Sequence, residues 1–200
     1  MSSNAKFKFI FVGDGAVGKT SLIARFVYDS FDEAYVATIG MDLISKRIHV
    51  DDKPVRLQLW DTAGQERFRA LIPSYFRDAN VSVIVYDVVD RRSFEATSSW
   101  AEEVRRERGD EILIALVGNK IDLVDMRQVS YEEGQAQAEQ LNATFFEASA
   151  KTGQNVKELF RAMAKRLLEE GVEGAGAANE ASHSLTEPTP PPPDPKKCSC

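Results

Sequence analysis

Lys6 to Thr20 reads KFKFIFVGDGAVGKT, an apolar run of strand length that breaks into glycines and then into the start of a helix. Phe7, Phe9, Ile10, Phe11 and Val12 read as a buried strand, and Gly13, Gly18, Lys19 and Thr20 fit the phosphate-loop pattern G-x-x-x-x-G-K-[ST]. A polyphosphate carries several negative charges. A loop that holds one must therefore bring many backbone N–H groups close and point a helix N-terminus at the anion. Gly13, Gly15 and Gly18 leave room for that approach, and Asp14, Ala16, Val17 and Ser21 complete the cradle. Lys19 then reaches the β- and γ-phosphates, and the Thr20 hydroxyl binds the Mg²⁺ that bridges them.

Working outward, Ser21 to Asp29 continues as a helix with Leu22, Ile23, Phe26 and Val27 on one apolar face. Ser30 to Gly40 has no period. Lys46 to Val50 and Val55 to Trp60 read as strands of an antiparallel hairpin, joined through Asp51-Asp52-Lys53-Pro54. Val81 to Tyr86 and Ile112 to Gly118 are nearly unbroken apolar runs, as expected of strands buried on both faces. Between them one helix is expected from a cap at Asp90 to about Arg108, with Phe94, Trp100 and Val104 inward. Ser130 and Glu133 form a capping box for a helix ending near Leu141, Thr144 to Glu147 is a short last strand, and Asn155 is expected to cap a final helix through Leu168. Six strands alternating with helices give an α/β fold: three layers around a mostly parallel sheet with one antiparallel edge strand. Ligands bind such sheets at the carboxyl ends of the strands.

Three further motifs follow strand ends. Asp61-Thr62-Ala63-Gly64-Gln65 ends the Val55 to Trp60 strand. Alone it is ordinary turn chemistry. Beside a phosphate loop, Asp61 is placed to hold Mg²⁺, Gly64 to turn its N–H to the γ-phosphate, and Gln65 to orient an attacking water. Asn119-Lys120-Ile121-Asp122 follows the strand ending at Gly118. Guanine presents a ring N–H and an exocyclic NH₂ together, which the Asp122 carboxylate accepts as a pair; adenine offers a ring acceptor there instead. Ser149-Ala150-Lys151 follows the last strand and offers a backbone N–H to the guanine oxygen, with Lys151 near the base.

Composition narrows the field. The net charge of −6 gives no footprint for nucleic acid. The two cysteines, Cys198 and Cys200, fall in the last three residues, which excludes a disulfide framework or a cysteine zinc site in the body. The N-terminus lacks a secretory pattern and no apolar stretch is long enough to span a bilayer, so a cytosolic chain is expected. From Gly171 on, the chain holds six of its eight prolines and almost no large apolar side chain, so residues 171–200 are expected to be a disordered tail behind a domain of residues 1–170.

With these motifs in this order, the chain resembles a Ras-superfamily small GTPase over Lys6 to about Glu170. The resemblance implies the G domain, with five helices flanking the sheet, and GTP or GDP bound with Mg²⁺. It further implies that Phe31 stacks on guanine, that Tyr35 contacts the nucleotide and that Thr38 joins Mg²⁺ and the γ-phosphate when GTP is bound. Similarity to the Rab branch lies in Ile39-Gly40-Met41-Asp42-Leu43, Leu59-Trp60-Asp61, Gln65-Glu66-Arg67-Phe68-Arg69 and Ser74-Tyr75-Phe76-Arg77. Tyr28 to Phe31, Val55 to Gly64, Leu71 to Tyr75 and the terminal Cys-Ser-Cys most resemble the Golgi-associated Rab-six subgroup. That family presents Ile39, Leu43, Trp60, Phe68 and Tyr75 to effectors, and usually carries Phe where this chain has Leu43.

The resemblance also implies slow hydrolysis of GTP. Asp32 to Gly40 contains no Arg, so an activating protein is expected to supply the arginine finger. Ordering of Thr38 and Gly64 by the γ-phosphate makes the cycle a switch. A terminal C-x-C implies geranylgeranylation of Cys198 and Cys200 by an escort-dependent transferase, and two lipid chains give stable anchoring. The implied partners are an exchange factor, an activating protein, a dissociation inhibitor, the escort protein and effectors, all meeting a monomer on the cytoplasmic face of an endomembrane, the Golgi by analogy. A nucleotide-bound scaffold of the same fold that does not hydrolyse is the other reading. A nucleotide kinase is a third, but no insertion supplies its lid.

Overall fold

The strand that precedes the glycines, β1 (Ala5–Val12), is buried throughout from Phe9 on, as its unbroken apolar run demands. The computed structural model describes residues 5–34, 38, 40–62 and 76–172. Within them β1 is joined by β2 (Met41–Val50), β3 (Lys53–Thr62), β4 (Val81–Asp87), β5 (Leu113–Asn119) and β6 (Thr144–Ala148). They form one sheet in the order β2-β3-β1-β4-β5-β6. β1 runs parallel to β3 and β4, β5 is parallel to β4 and β6, and only the edge strand β2 is antiparallel. The mostly parallel sheet with one antiparallel edge is as expected.

The hairpin turn is tighter than the sequence suggested. Val50 pairs with Lys53, so the turn is Asp51-Asp52 alone and both of its other expected residues belong to β3. Asp51 and Asp52 take φ of 47° and 64°, the mirror-image turn whose twist matches that of paired strands.

Among the described residues five α-helices pack on this sheet: α1 (Lys19–Tyr28), α2 (Arg91–Glu95), α3 (Thr97–Arg108), α4 (Tyr131–Gln140) and α5 (Val156–Glu169). The single helix expected from Asp90 to Arg108 is in two pieces. Asp90 does cap it, accepting from the Arg92 N–H. The break comes at Ala96, where the Thr97 hydroxyl donates back to the Phe94 carbonyl at 2.6 Å and competes with the helical ladder. The Ser130/Glu133 capping box is present. Asn155 does stand at the start of α5, but in the left-handed conformation; its side chain donates to the Glu147 carbonyl at 2.8 Å rather than capping the helix.

The two faces of the sheet carry separate cores. On one, Phe7, Phe9, Phe11, Leu57 and Leu59 meet α1 and α5. On the other, Ile10, Ile84, Tyr86 and Leu116 meet Trp100, Ala101 and Val104 of α3 and Ala138 of α4. The first core centres on Phe160 of α5, whose ring stacks on Phe26 of α1 at 3.7 Å and lies 5.8 Å from Phe11 and 6.2 Å from Phe9. Among the described residues no helix is long and apolar enough to cross a membrane. Of the expected tail only Gly171 and Val172 lie within the described residues.

Because Phe160 is fully buried and joins α1, α5 and β1, Phe160→Ala is expected to cost about 3–5 kcal/mol. The drop in urea unfolding free energy measures this.

Candidate functional site

The described residues of all four motifs meet at the carboxyl ends of the parallel strands, around a pocket of about 550 Å³. At one end lies the glycine loop between β1 and α1. Gly13 has φ of 137°, and a Cβ there would stand 2.2 Å from the Val85 carbonyl oxygen of β4. Gly18 has φ of 96°, and a Cβ would meet the Asn119 side-chain amide at 2.3 Å. Both positions therefore require glycine for close approach to neighbouring strands, a reason that the phosphate pattern alone does not disclose. Gly15, Ala16 and Ser21 line the pocket as expected.

Lys19 also lines the pocket, although it is 95% buried, its ammonium donating to the Gly13 carbonyl at 2.8 Å and the Asp14 carbonyl at 2.7 Å. Burial lowers its pKa to about 8, against the opposing charges of Asp61 and Asp14. The side chain of Asp14 does not face the pocket; it accepts from the Trp100 indole N–H at 2.9 Å. Val17 is buried and contributes its carbonyl to the Asn119 amide.

Below Lys19 three oxygens converge. The Thr20 hydroxyl donates to Asp61 Oδ2 at 2.5 Å and shares a hydrogen bond with the Thr38 hydroxyl at 2.7 Å. Asp61 is 2% exposed, and its Oδ1 has no hydrogen-bond partner among the described residues. Burial pushes its carboxyl pKa up, while the Thr20 hydrogen bond and the Lys19 charge pull it down. An orphaned carboxylate oxygen beside two hydroxyls fits a small hard dication. Such an ion is held by one or two carboxylates and takes its remaining oxygens from phosphate and water. Thr20, Thr38 and Asp61 thus fit Mg²⁺.

At the other end, Asp122 lines the pocket with its carboxylate oriented by the Ser149 hydroxyl, which donates to Oδ1 at 2.6 Å. Ser149 itself is fully buried and positions Asp122. Asn119 is 1% exposed and links two loops: its amide donates to the Val17 carbonyl at 2.9 Å, and its Oδ1 accepts from the Ala150 N–H at 3.1 Å. Of the N–H groups in Ser149-Ala150-Lys151, that of Ala150 is turned to Asn119, where it forms part of the clip between loops. Lys120, Ala150, Lys151 and Phe31 line the same end, with Phe31 packed on the α1 core. Leu43 and Trp60 lie opposite each other across β2 and β3, Leu43 at 47% exposure and Trp60 under the Lys8 ammonium at 4.0 Å. Tyr35, Ile39, Gly64, Gln65, Phe68, Tyr75, Cys198 and Cys200 lie outside the described residues.

Two contributors escaped the sequence reading. Arg25 of α1 donates to the Ala150 carbonyl at 2.8 Å and the Lys151 carbonyl at 2.7 Å, fixing the loop after β6 from the helix side. Glu33 pairs with Lys151 at 2.9 Å across the pocket mouth, which also raises the Lys151 pKa. Nothing in the local pattern marks either residue, since each acts on a partner more than a hundred positions away.

A family model described as Ras family matches residues 8–169 of the chain, which includes every described residue of the pocket.

The lowered pKa of Lys19 has a measurable sign. Between about 8 and the ordinary 10.5 the free site holds a neutral amine, and a polyphosphate that restores the charge takes up a proton. Binding at about pH 9 is expected to take up close to one proton per nucleotide, and binding at about pH 7 none from this group. Calorimetry in buffers of different ionisation enthalpy measures the difference.

Proposed function

The chain belongs to the Ras family, and on that premise we propose that it is a Rab-type, membrane-anchored switch that binds GTP with Mg²⁺ and hydrolyses it slowly to GDP. Members of this family bind guanine nucleotides, generally with Mg²⁺, and work as switches. The reading rests above all on one observation: a single pocket joins a polyphosphate end, made by Lys19, Thr20 and Thr38 with Asp61 bonded to Thr20, to a base end, made by Asp122 held by Ser149.

The roles follow from that arrangement. The N–H groups of the glycine loop and Lys19 bind the phosphates, and Asp122 accepts the paired donors of guanine. Thr20, Thr38 and Asp61 would hold Mg²⁺, which when bound neutralises charge on the phosphate oxygens. Gln65 orients the attacking water, Gly64 presents an N–H to the γ-phosphate, and Tyr35 and Phe31 cover the nucleotide. An activating protein supplies an arginine worth roughly 10³ to 10⁵ in rate. Thr38 and Gly64, ordered by the γ-phosphate, change the surface formed with Ile39, Leu43, Trp60, Phe68 and Tyr75, and effectors read that change.

In the same reading residues 1–170 are the G domain and residues 171–200 a disordered tether. Geranylgeranyl groups on Cys198 and Cys200 hold the monomer on the cytoplasmic face of an endomembrane, the Golgi by likeness to the Rab-six subgroup. A thirty-residue tether sets the domain roughly 30 Å from that surface. Exchange factor, dissociation inhibitor and escort protein complete the cycle.

Single-turnover measurement tests the chemistry. GTP is expected to turn over slowly with Mg²⁺ and ATP not at all, and Gln65→Leu is expected to slow GTP turnover by about an order of magnitude or more. Tight GTP binding without turnover in either form would make the nucleotide a structural cofactor. Anchoring is read separately by sedimentation of the cell-expressed protein with membranes. Replacing both cysteines by serine is expected to release it, and replacing one to leave marginal binding.

A further inference from the structure

The ends of β1, β3, β5 and β6 each deliver a motif to the pocket, whereas β4, which lies between β1 and β5, ends at Asp87 with none assigned. Asp87 stands beside Asn119 in the sheet register, and its side chain is 8% exposed. Its Oδ2 meets the Lys120 ammonium at 2.6 Å, and its Oδ1 accepts from the Val89 N–H at 3.0 Å. The Asp87 N–H in turn donates to the Ser93 hydroxyl at 2.9 Å, so the acid is held from both sides.

Lys120 needs such a hold. It sits at φ of 70°, in the left-handed region where a side chain other than glycine is disfavoured, two residues before Asp122. The Val88 N–H donates to the Asn119 carbonyl at 3.0 Å on the preceding residue. Asp87 therefore grips the turn from its side chain while Val88 grips it from the backbone. Lys120 also lines the pocket while its ammonium is drawn to Asp87.

We propose that Asp87 is a positioning residue for the base end of the nucleotide site: by holding Lys120 it fixes the turn that presents Asp122 and so slows release of guanine nucleotide. The proposal rests on the functional reading above and names a determinant of how long that site retains its ligand. The Asp87 charge reaches the turn that carries Asp122 through Lys120, so removing Lys120 should make the charge of residue 87 irrelevant to release.

The experiment is a double-mutant cycle on the full chain loaded with a fluorescent GDP and chased with excess GDP. Asp87→Asn keeps the shape and removes the charge. It is expected to speed release roughly tenfold, the scale of one hydrogen bond to a charged group, and to add nothing further in a Lys120→Met background. The factor by which chelation of Mg²⁺ speeds release should stay at its wild-type value, because the pair lies at the base end. If the Asn variant fails to fold, Asp87→Glu, which keeps the charge on a longer arm, takes its place with a smaller acceleration that Lys120→Met likewise abolishes. Release within twofold of wild type, or an acceleration that multiplies equally with and without Lys120, overturns the proposal. A wild-type chain that retains no guanine nucleotide overturns the functional reading instead.

Discussion

The amide of Asn119 is the point on which the site turns. Its two polar ends reach the Val17 carbonyl in the glycine loop and the Ala150 N–H in the loop after β6, so one buried side chain ties the ends of β1, β5 and β6 together. Both partners are buried with it. Removing the amide would leave a donor and an acceptor unsatisfied, each at the desolvation cost of a buried polar group. The same amide explains Gly18, which has to be bare because the amide fills the space a Cβ would take. Three loops that are separate in sequence thereby become one rigid rim.

Within that rim the charged groups are set against their own desolvation. The Lys19 ammonium lies on two loop carbonyls and the Asp61 carboxylate under the Thr20 hydroxyl, and burial biases each toward its neutral form. Groups held in this way interact strongly with an arriving ligand of opposite charge, since little water intervenes and little reorganisation is needed. A polyphosphate with a hard dication answers both groups at once.

The scaffold that permits this is the mostly parallel sheet with its two apolar cores. α1 is clamped on Phe160 at one face, and it carries Arg25 to the carbonyls of Ala150 and Lys151. α3 packs on the other face and carries Trp100 to Asp14. Helices whose apolar faces are fixed in the cores thus hold the glycine loop and the loop after β6 from outside the pocket. Loops on rigid elements are where precise placement of functional groups is attainable.

The sequence alone determined what depends on short stretches of chain. Apolar runs ending in glycine marked the strands and the phosphate loop, Ser130 with Glu133 marked a helix start, and Lys19, Thr20, Asp61 and Asp122 were legible because each lies within a few residues of a strand end. Even the antiparallel edge followed from the short link between β2 and β3. The tertiary structure decided what depends on partners far away along the chain: the Asn119 clip, the turning of Asp14 to Trp100, the grip of Arg25 and the pairing of Asp87 with Lys120. It also decided against Asn155 as a side-chain cap, because the Glu147 carbonyl competes for that amide, and against an unbroken helix to Arg108, because Thr97 turns its hydroxyl to Phe94. Periodicity and turn chemistry are local and can be read one residue after another. A hydrogen bond spanning a hundred positions exists only once the strand order β2-β3-β1-β4-β5-β6 has brought its two ends together.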